Sequence, residues 1–431
     1  MTYGIKQSKL FTKTKKEAPA DEVSKNAEFL IRAGFIHKEM AGVYSYLPLG
    51  LRVIKKIENI IREEMDAIGG TEMKTSILQN KEIWEKTNRW DDKEVDIWFK
   101  TKLKNDTEIG LSWSNEENFT NILKQYVNSY KDLPIYAYDF KEIMRNEVRS
   151  KSGIMRGREF YWKALYSFSK DEKEHNDFYE KMKITYDNIF KKVGIGHLTY
   201  LTFASGGAFS KYSHEFQTIT SAGEDTIYVS EDNAIAINKE VFEDEVITSL
   251  GLEKDKLVEH RGIEVGNIFT LGTNKAEALD LYYTDEKGNK IPAFIGSYGI
   301  GLGRLMGTVV EVLSDDKGMI WPESIAPFKV HLLALGDDEG VAIEANNVYE
   351  KLLKNNIEVL FDDRVGLSAG EKFADSDLIG IPYRAVVSLR SMKDLPAGAG
   401  SGIELKKRSE EKGKVVSIDE LLALLKLEPK A

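Results

Sequence analysis

Arg145, Glu147 and Arg149 stand two residues apart, and at strand spacing such charges share one face of a sheet. A Gly-punctuated loop, Ser150 to Gly157, follows with Lys151 and Arg156, and a second strand-like run, Arg158 to Phe168, carries Phe160, Trp162 and Tyr166. The pattern predicts a hairpin with a basic tip. Guanidinium groups fork onto phosphate oxygens and flat rings stack on a base, so the chemistry on offer is nucleotide binding. A solvated charged hairpin has the same alternation, and this stretch alone leaves both readings open.

Three further stretches can carry chemistry. In W-S-N-E-E, Ser114 and Glu116 offer a hydroxyl and an anion, although Ser114 and Glu117 also have the spacing of a helix capping box. In G-S-Y-G-I-G-L-G-R-L, the glycines at 299, 301 and 303 do not have G-x-G-x-x-G spacing, and the preceding turn chemistry is antiparallel. Strand into helix is the better account, with Arg304 in the first helical turns. His214 sits in a strand-like run, where a lone histidine is usually a satisfied core residue.

The elements that position these residues follow from periodicity. Residues 1–20 are Lys-rich and read as a loose arm. A helix is expected over 21–33, capped by Asp21 and ended by Gly34, and an amphipathic helix over 51–68, with Val53, Ile54, Ile57, Ile60, Ile61 and Met65 on one side. A strand over 72–78, a strand over 108–111, a helix over 116–130 and a charged helix over 170–193 follow. Beyond the Pro-punctuated stretch 319–333, strands (329–335, 358–362, 383–388, 403–408, 414–417) alternate with helices (339–353, 370–378, 418–427), the pattern of an α/β unit.

Composition bounds the function. The 431 residues suffice for two or three domains. No apolar run approaches the roughly 20 residues of a membrane span, and the N-terminus lacks a signal-peptide core, so a cytoplasmic location is expected. With no cysteine there are no disulfides, thiolate metal sites or Cys nucleophiles. With six histidines, Mg²⁺ brought in by a nucleotide is the expected metal, and no protein-held metal site is expected. A net charge of -10 excludes bulk attraction to nucleic acid but not local basic patches.

The wording R-N-E-V-R, G-I-M-R-G-R-E-F and Y-S-F around the hairpin resembles motif 2 of class II aminoacyl-tRNA synthetases in its prolyl form. Helix 51–68 with strand 72–78 resembles motif 1, and G-S-Y-G-I-G-L-G-R-L resembles motif 3. Q-N-K-E-I-W-E-K-T-N-R-W, S-H-E-F and R-G-I-E-V-G-N-I-F-T-L-G-T also match family wording. F-D-D-R and A-G-E-K-F-A-D-S-D-L-I-G-I-P resemble the class IIa anticodon-binding domain. The resemblance covers nearly all of the chain after about residue 20.

It implies an α+β protein: an N-terminal arm (1–20), an antiparallel-sheet catalytic domain (21–326) and a C-terminal α/β anticodon-binding domain (327–431). The implied reaction is activation of proline by ATP with Mg²⁺, then transfer to the 3′ end of tRNA(Pro). Arg145 and Arg304 are the implied phosphate clamps, with Glu147 and Arg156 at the nucleotide and Phe160 stacked on adenine. Ser114, Glu116, Trp162 and His214 are implied at proline, with Glu116 as the counter-charge of its ammonium. Arg364, Lys372, Lys406 and Arg408 are candidate tRNA contacts, or simply a solvated face. Motif 1 implies a homodimer. Departures from the family pattern fall at Ser76, Ser114, Ser150 and Ala164, and the loop at Gly206 and Gly207 is built differently. They keep one rival in view, a non-catalytic paralogue sensing tRNA or amino acid. A threonyl enzyme is disfavoured because its zinc site includes Cys. Between Asn238 and Arg261 there is only a short helix (240–250) and a connector, too little for the editing domain many bacterial relatives carry, so a separate trans-editing protein is an expected partner.

Overall fold

The computed structural model describes residues 4–148, 150, 152–206, 212–395 and 401–426. Packing divides the chain into two units, one of Lys38–Tyr44 and Ile57–Thr308, the other of Met1–His37, Ser45–Lys56 and Val309–Ala431.

The first unit is built on a nine-stranded sheet. Its order is Tyr212–Ile219, Thr199–Ser205, Ile235–Asn238, Asp225–Ser230, Val258–Gly272, Phe294–Gly301, Glu159–Ser169, Ile135–Met144 and Thr71–Glu72. Most pairings are antiparallel; Thr71–Glu72 with the hairpin strand and Thr199–Ser205 with Ile235–Asn238 are parallel. Tyr212–Ile219 pairs again with Val258–Gly272, so that end of the sheet closes on itself. The helix Glu172–Val193 packs on the sheet, burying Phe178, Met182, Tyr186, Ile189 and Phe190. Asp171 caps its start by accepting from the Glu174 amide, and Gly194, at φ +100°, ends it in a conformation that suits glycine. Phe119, Trp162, Ala164, Tyr166 and Phe168 form the core near the hairpin, which gives Ala164 a plain packing role.

The hairpin departs from the expected alternation. Its first strand stops at Met144. The Arg145 amide still donates to the Arg158 carbonyl, but the Asn146 amide turns to the Ile97 carbonyl and the Glu147 amide folds back onto that of Arg145. The ladder ends there, so Arg145 and Glu147 are placed by a turn rather than by a pleat; Arg149 and Lys151 lie outside the described residues. The helix expected over 116–130 runs only Glu116–Leu123, followed by a 3₁₀ turn at Tyr130–Asp132. The strand expected over 72–78 is reduced to Thr71–Glu72, and a separate strand, Leu78–Asn80, joins a three-stranded sheet with Glu108–Leu111. The amphipathic helix begins earlier than expected, at Pro48, whose fixed φ suits a first helical position, and runs to Ala67.

In the second unit, a six-stranded sheet orders Gly4–Lys6, Val359–Asp362, Val330–Leu335, Tyr383–Ser388, Ile403–Lys407 and Lys414–Val416. The first four strands pair in parallel, the last two antiparallel. Its helices are Glu339–Lys354, Ala369–Ile379 and Ile418–Lys426, within a residue or so of expectation; Leu427 lies outside the described residues. The described part of the expected loose arm, residues 4–20, is anchored instead: Gly4–Lys6 adds an edge strand, and the Gln7 side chain hydrogen-bonds buried His331 at 3.0 Å. The first helix starts at Lys25, not at Asp21, with Ser24 at the cap position.

Candidate active site

The turn after Met144, the loop up to Gly157, the strand Glu159–Ser169, the strand Val258–Gly272 and the start of the helix Leu302–Val312 converge on a cavity of about 110 Å³. Arg145, Glu147, Arg156, Phe160, Trp162 and Arg304 line it, together with Glu264, Asn267, Gly299 and Gly301. A second cavity of about 100 Å³ shares Arg156, Glu264 and Arg304 and adds Glu224 and Asp225. Gly299 fits because a Cβ there would lie 2.8 Å from both Asn267 Oδ1 and Trp162 Nε1. Six residues flagged by sequence pattern therefore face one space.

The electrostatics of that space favour anions. Arg145 donates from Nε to the Trp113 carbonyl (3.2 Å), and its guanidinium lies 5.4 Å from the Phe160 ring centre and 5.9 Å from that of Trp162. Among the described residues no carboxylate forms a salt bridge with it; burial, then repulsion from Arg304, lowers its pKa. Arg304 is held by the Met155 carbonyl (2.9 Å) and the Glu264 carbonyl (3.1 Å), with the Glu264 carboxylate 3.4 Å away. Arg156 bridges Glu147 (3.1 Å) and Glu224 (3.0 Å), so Glu147 fixes a cation of the loop. Burial, reinforced by Glu264, pushes the Glu215 carboxyl up to about 7.

Behind Arg145 lies a fully charged core. Glu116 is 4% exposed and Glu117 0%. The Glu116 carboxylate accepts from Arg89, from the Ser114 hydroxyl and from Tyr166 (3.0 Å); Glu117 accepts from Arg89 (2.8 Å) and Lys275 (2.8 Å). Burial acts to raise the Glu116 pKa, but Arg89 and Lys275 outweigh it and hold the group well below the usual carboxylate range. The capping box does not form: the cap position falls on Asn115, and Ser114 donates to Glu116 instead. Sequence reading missed Arg89, Lys275 and Glu117 as members of this core. Arg89 sits inside a tryptophan-rich run that marked it only as family wording, and Lys275 meets Glu117 across 158 residues, beyond any local pattern.

His214 is not brought to the cavity. It sits on Tyr212–Ile219, its Nδ1 hydrogen-bonded to the Tyr179 hydroxyl (2.9 Å) and its ring edge-on to Tyr179 and Phe203. Burial, then the charge of Lys183, pushes its pKa down to about 3, and its Nδ1 is taken by the helix Glu172–Val193. The loop containing Gly207 lies outside the described residues.

Three of the four candidate tRNA contacts are held by partners within the protein. Arg364 pairs with Asp362 (2.7 Å) and Asp375 (2.9 Å), and Arg408 grips Asp315 with two bonds (2.8 and 2.6 Å). Lys372 is 3% exposed and donates to the Ala334 carbonyl (2.7 Å). Each is anchored within its own unit; Lys406 is half-buried on the strand Ile403–Lys407.

Residues 99–313 match the family described as tRNA synthetase class II core domain (G, H, P, S and T), and residues 329–428 match the anticodon binding domain family. The chain is thus a class II aminoacyl-tRNA synthetase. Among curated relatives, a proline–tRNA ligase of Hyphomonas neptunium is 34% identical, covering 98% of this chain and 100% of its own. One of Rickettsia bellii is 35% identical, covering 96% of each chain. A crystal structure of prolyl-tRNA synthetase from Cryptosporidium parvum, complexed with halofuginone and AMPPNP, superposes with a TM-score of 0.74 at 17% identity, covering 92% of this chain and 76% of that one, and shares the fold. The chain belongs to the proline–tRNA ligase family, enzymes that activate proline with ATP and join it to tRNA.

Proposed function

We propose that the cavity beneath the hairpin is where proline and ATP react. The observation that carries this reading is the pair Arg145 and Arg304, two guanidiniums lining one cavity, the first half-buried and without a salt bridge among the described residues. Such a pair is relieved by an anion. In the activation step a proline carboxylate oxygen attacks the α-phosphorus of ATP, the bond to the β-phosphate oxygen breaks, and pyrophosphate leaves. Arg145 aligns the carboxylate against the α-phosphate, and Arg304 takes the charge building on the departing phosphates. Phe160 stacks on adenine, while Glu147 holds Arg156 at the nucleotide. Glu116 and Ser114 receive the secondary ammonium, and Trp162 walls the proline ring. In the second step the terminal ribose hydroxyl of tRNA attacks the prolyl carbonyl and AMP departs. No side chain need act as acid or base; the residues position and neutralise.

Class II synthetases use Mg²⁺ with ATP. Glu264, a carboxylate lining both cavities, is the oxygen ligand the chain offers to an ion carried by the triphosphate, which would spread the phosphate charge. The proposed functional boundary lies near residue 326, between the two family matches. Lys406 remains as a proposed tRNA contact. A homodimer is proposed through the 51–78 region, where Leu51, Ile77 and Leu78 are 44%, 37% and 54% exposed. Among the described residues no helix is long and apolar enough to cross a membrane, and a cytoplasmic location is proposed. Between Asn238 and Val258 the chain forms only two 3₁₀ turns and the helix Asp244–Ser249, which supports clearance of mischarged tRNA by a separate protein. Exchange of radiolabelled pyrophosphate into ATP tests the reading: exchange should depend on proline and Mg²⁺, and its absence with proline refutes it.

A further inference from the structure

We propose that Arg89 is a positioning residue for amino-acid binding: it keeps Glu116 ionised and aimed so that this carboxylate can receive the ammonium of proline. The proposal rests on the reading that Glu116 binds that ammonium. An isolated carboxyl this deeply buried takes up a proton, and a protonated carboxyl is neither counter-charge nor full acceptor. Here two acids and two bases balance: Glu116 and Glu117 against Arg89 and Lys275.

The distances show which base serves which acid. Lys275 is 2.8 Å from Glu117 but 3.9 Å from Glu116, so its hydrogen bond goes to Glu117 and only its charge reaches Glu116. Arg89 reaches both carboxylates and is therefore the counter-ion on which Glu116 depends. Its place is fixed by tryptophans. The guanidinium lies 4.2 Å from the ring centre of Trp113 and 5.4 Å from that of Trp84, and the Arg89 carbonyl accepts from Trp98 Nε1 (2.8 Å). A planar, permanently charged group satisfies both acids and both rings, which a lysine ammonium does not. The other charged or titratable groups bearing on Glu116 are Tyr166, a hydroxyl donor kept neutral by burial, and Arg145, the proposed carboxylate clamp; Asp139 bears on it through Tyr166.

Removing Arg89 leaves two adjacent carboxylates and one ammonium, and Lys275 stays with Glu117. Glu116, left with only the more distant charge of Lys275, then takes up a proton more readily. Arg89→Met should raise the proline KM by roughly 10-fold or more near neutral pH, the scale of one lost charged partner, with kcat and the ATP KM little changed. The penalty should shrink as pH rises and Glu116 re-ionises. Arg89→Lys should fall between wild type and Arg89→Met. The decisive variant adds Glu117→Gln to Arg89→Met, which frees Lys275 for Glu116 and should recover much of the proline KM. It also restores charge balance, so it reports even if the single variant folds poorly. A penalty constant across pH, or no recovery in the double variant, would mean that Arg89 only props the fold, and would overturn the proposal. Glu116→Gln separates the underlying reading: an unchanged proline KM there would remove Glu116 itself from the amino-acid site.

Discussion

Arg145→Met separates a functional arginine from a structural one. Among the described residues the Arg145 side chain donates one hydrogen bond, of 3.2 Å, to the Trp113 carbonyl, and it is opposed by Arg304. Losing a charged donor costs about 1.5 to 3 kcal/mol. Against that, an apolar side chain of similar length removes both the desolvation of a half-buried guanidinium and its repulsion from Arg304. These terms oppose, so the melting temperature should stay within about 4 °C of wild type, the shift that 1 to 2 kcal/mol makes in a unit of this size. Activation should respond very differently. Where Arg145 faces charge that develops at the α-phosphate, removing one preorganised donor costs about 10²- to 10³-fold, or about 2.7 to 4 kcal/mol. Pyrophosphate exchange at saturating proline and ATP, read beside differential scanning fluorimetry, measures both. A near-normal exchange rate would remove Arg145 from the site, and a melting temperature many degrees lower would make it a structural residue whose loss merely unfolds the pocket.

Other expectations follow from the same geometry. Gln7→Ala strands the buried His331 Nε2 and should cost about 1 to 3 kcal/mol, seen as a lower urea midpoint; an unchanged midpoint would mean the N-terminal strand does not brace its sheet. Burial and neighbouring Glu159 push the Glu142 carboxyl up to about 7, above its unfolded value, so the stability this group contributes is present at low pH and lost as pH rises from about 4.5 through 7. Glu142→Gln should therefore raise the melting temperature at pH 8 and leave it unchanged at pH 4.5, and a gain independent of pH would contradict this. Arg364→Ala should destabilise the C-terminal sheet with tRNA affinity nearly intact, whereas Lys406→Ala should weaken tRNA binding without changing pyrophosphate exchange; the reverse pattern in filter binding would invert the assignment. Alanine should support measurable exchange, since each of the two methylenes it lacks is worth only about 1 to 3 kcal/mol of discrimination. The pure enzyme should then leave alanyl-tRNA(Pro) intact, and hydrolysis well above the spontaneous rate would reveal an editing site in this chain.

How much was legible in the sequence depended on whether a signal was local. The α/β unit was readable almost residue by residue, because apolar strands alternate with amphipathic helices closed by plain signals such as Ser368 and Gly380. The nucleotide side of the site was readable too: Arg145, Arg156, Phe160 and Arg304 lie in distinctive runs and meet in one cavity. What failed depended on long-range contacts. Period-two spacing put Arg145 and Glu147 on one pleat, whereas the Ile97 carbonyl, far away in sequence, ends the ladder at Met144. His214 was assigned by its wording, but the Tyr179 hydroxyl on a facing helix claims its ring. Arg364, Lys372 and Arg408 looked like a basic face because Asp375, Ala334 and Asp315, which anchor them, are joined only by the fold. The charged core of Arg89 and Lys275 was invisible for the same reason.

A crystal structure with a non-hydrolysable prolyl-adenylate analogue tests the central claim most directly. The pyrrolidine nitrogen should lie within hydrogen-bond distance of Glu116 and Ser114, the acyl-phosphate linkage against Arg145, and adenine on Phe160. An analogue bound away from Arg145, or with its nitrogen facing any carboxylate other than Glu116, would contradict it.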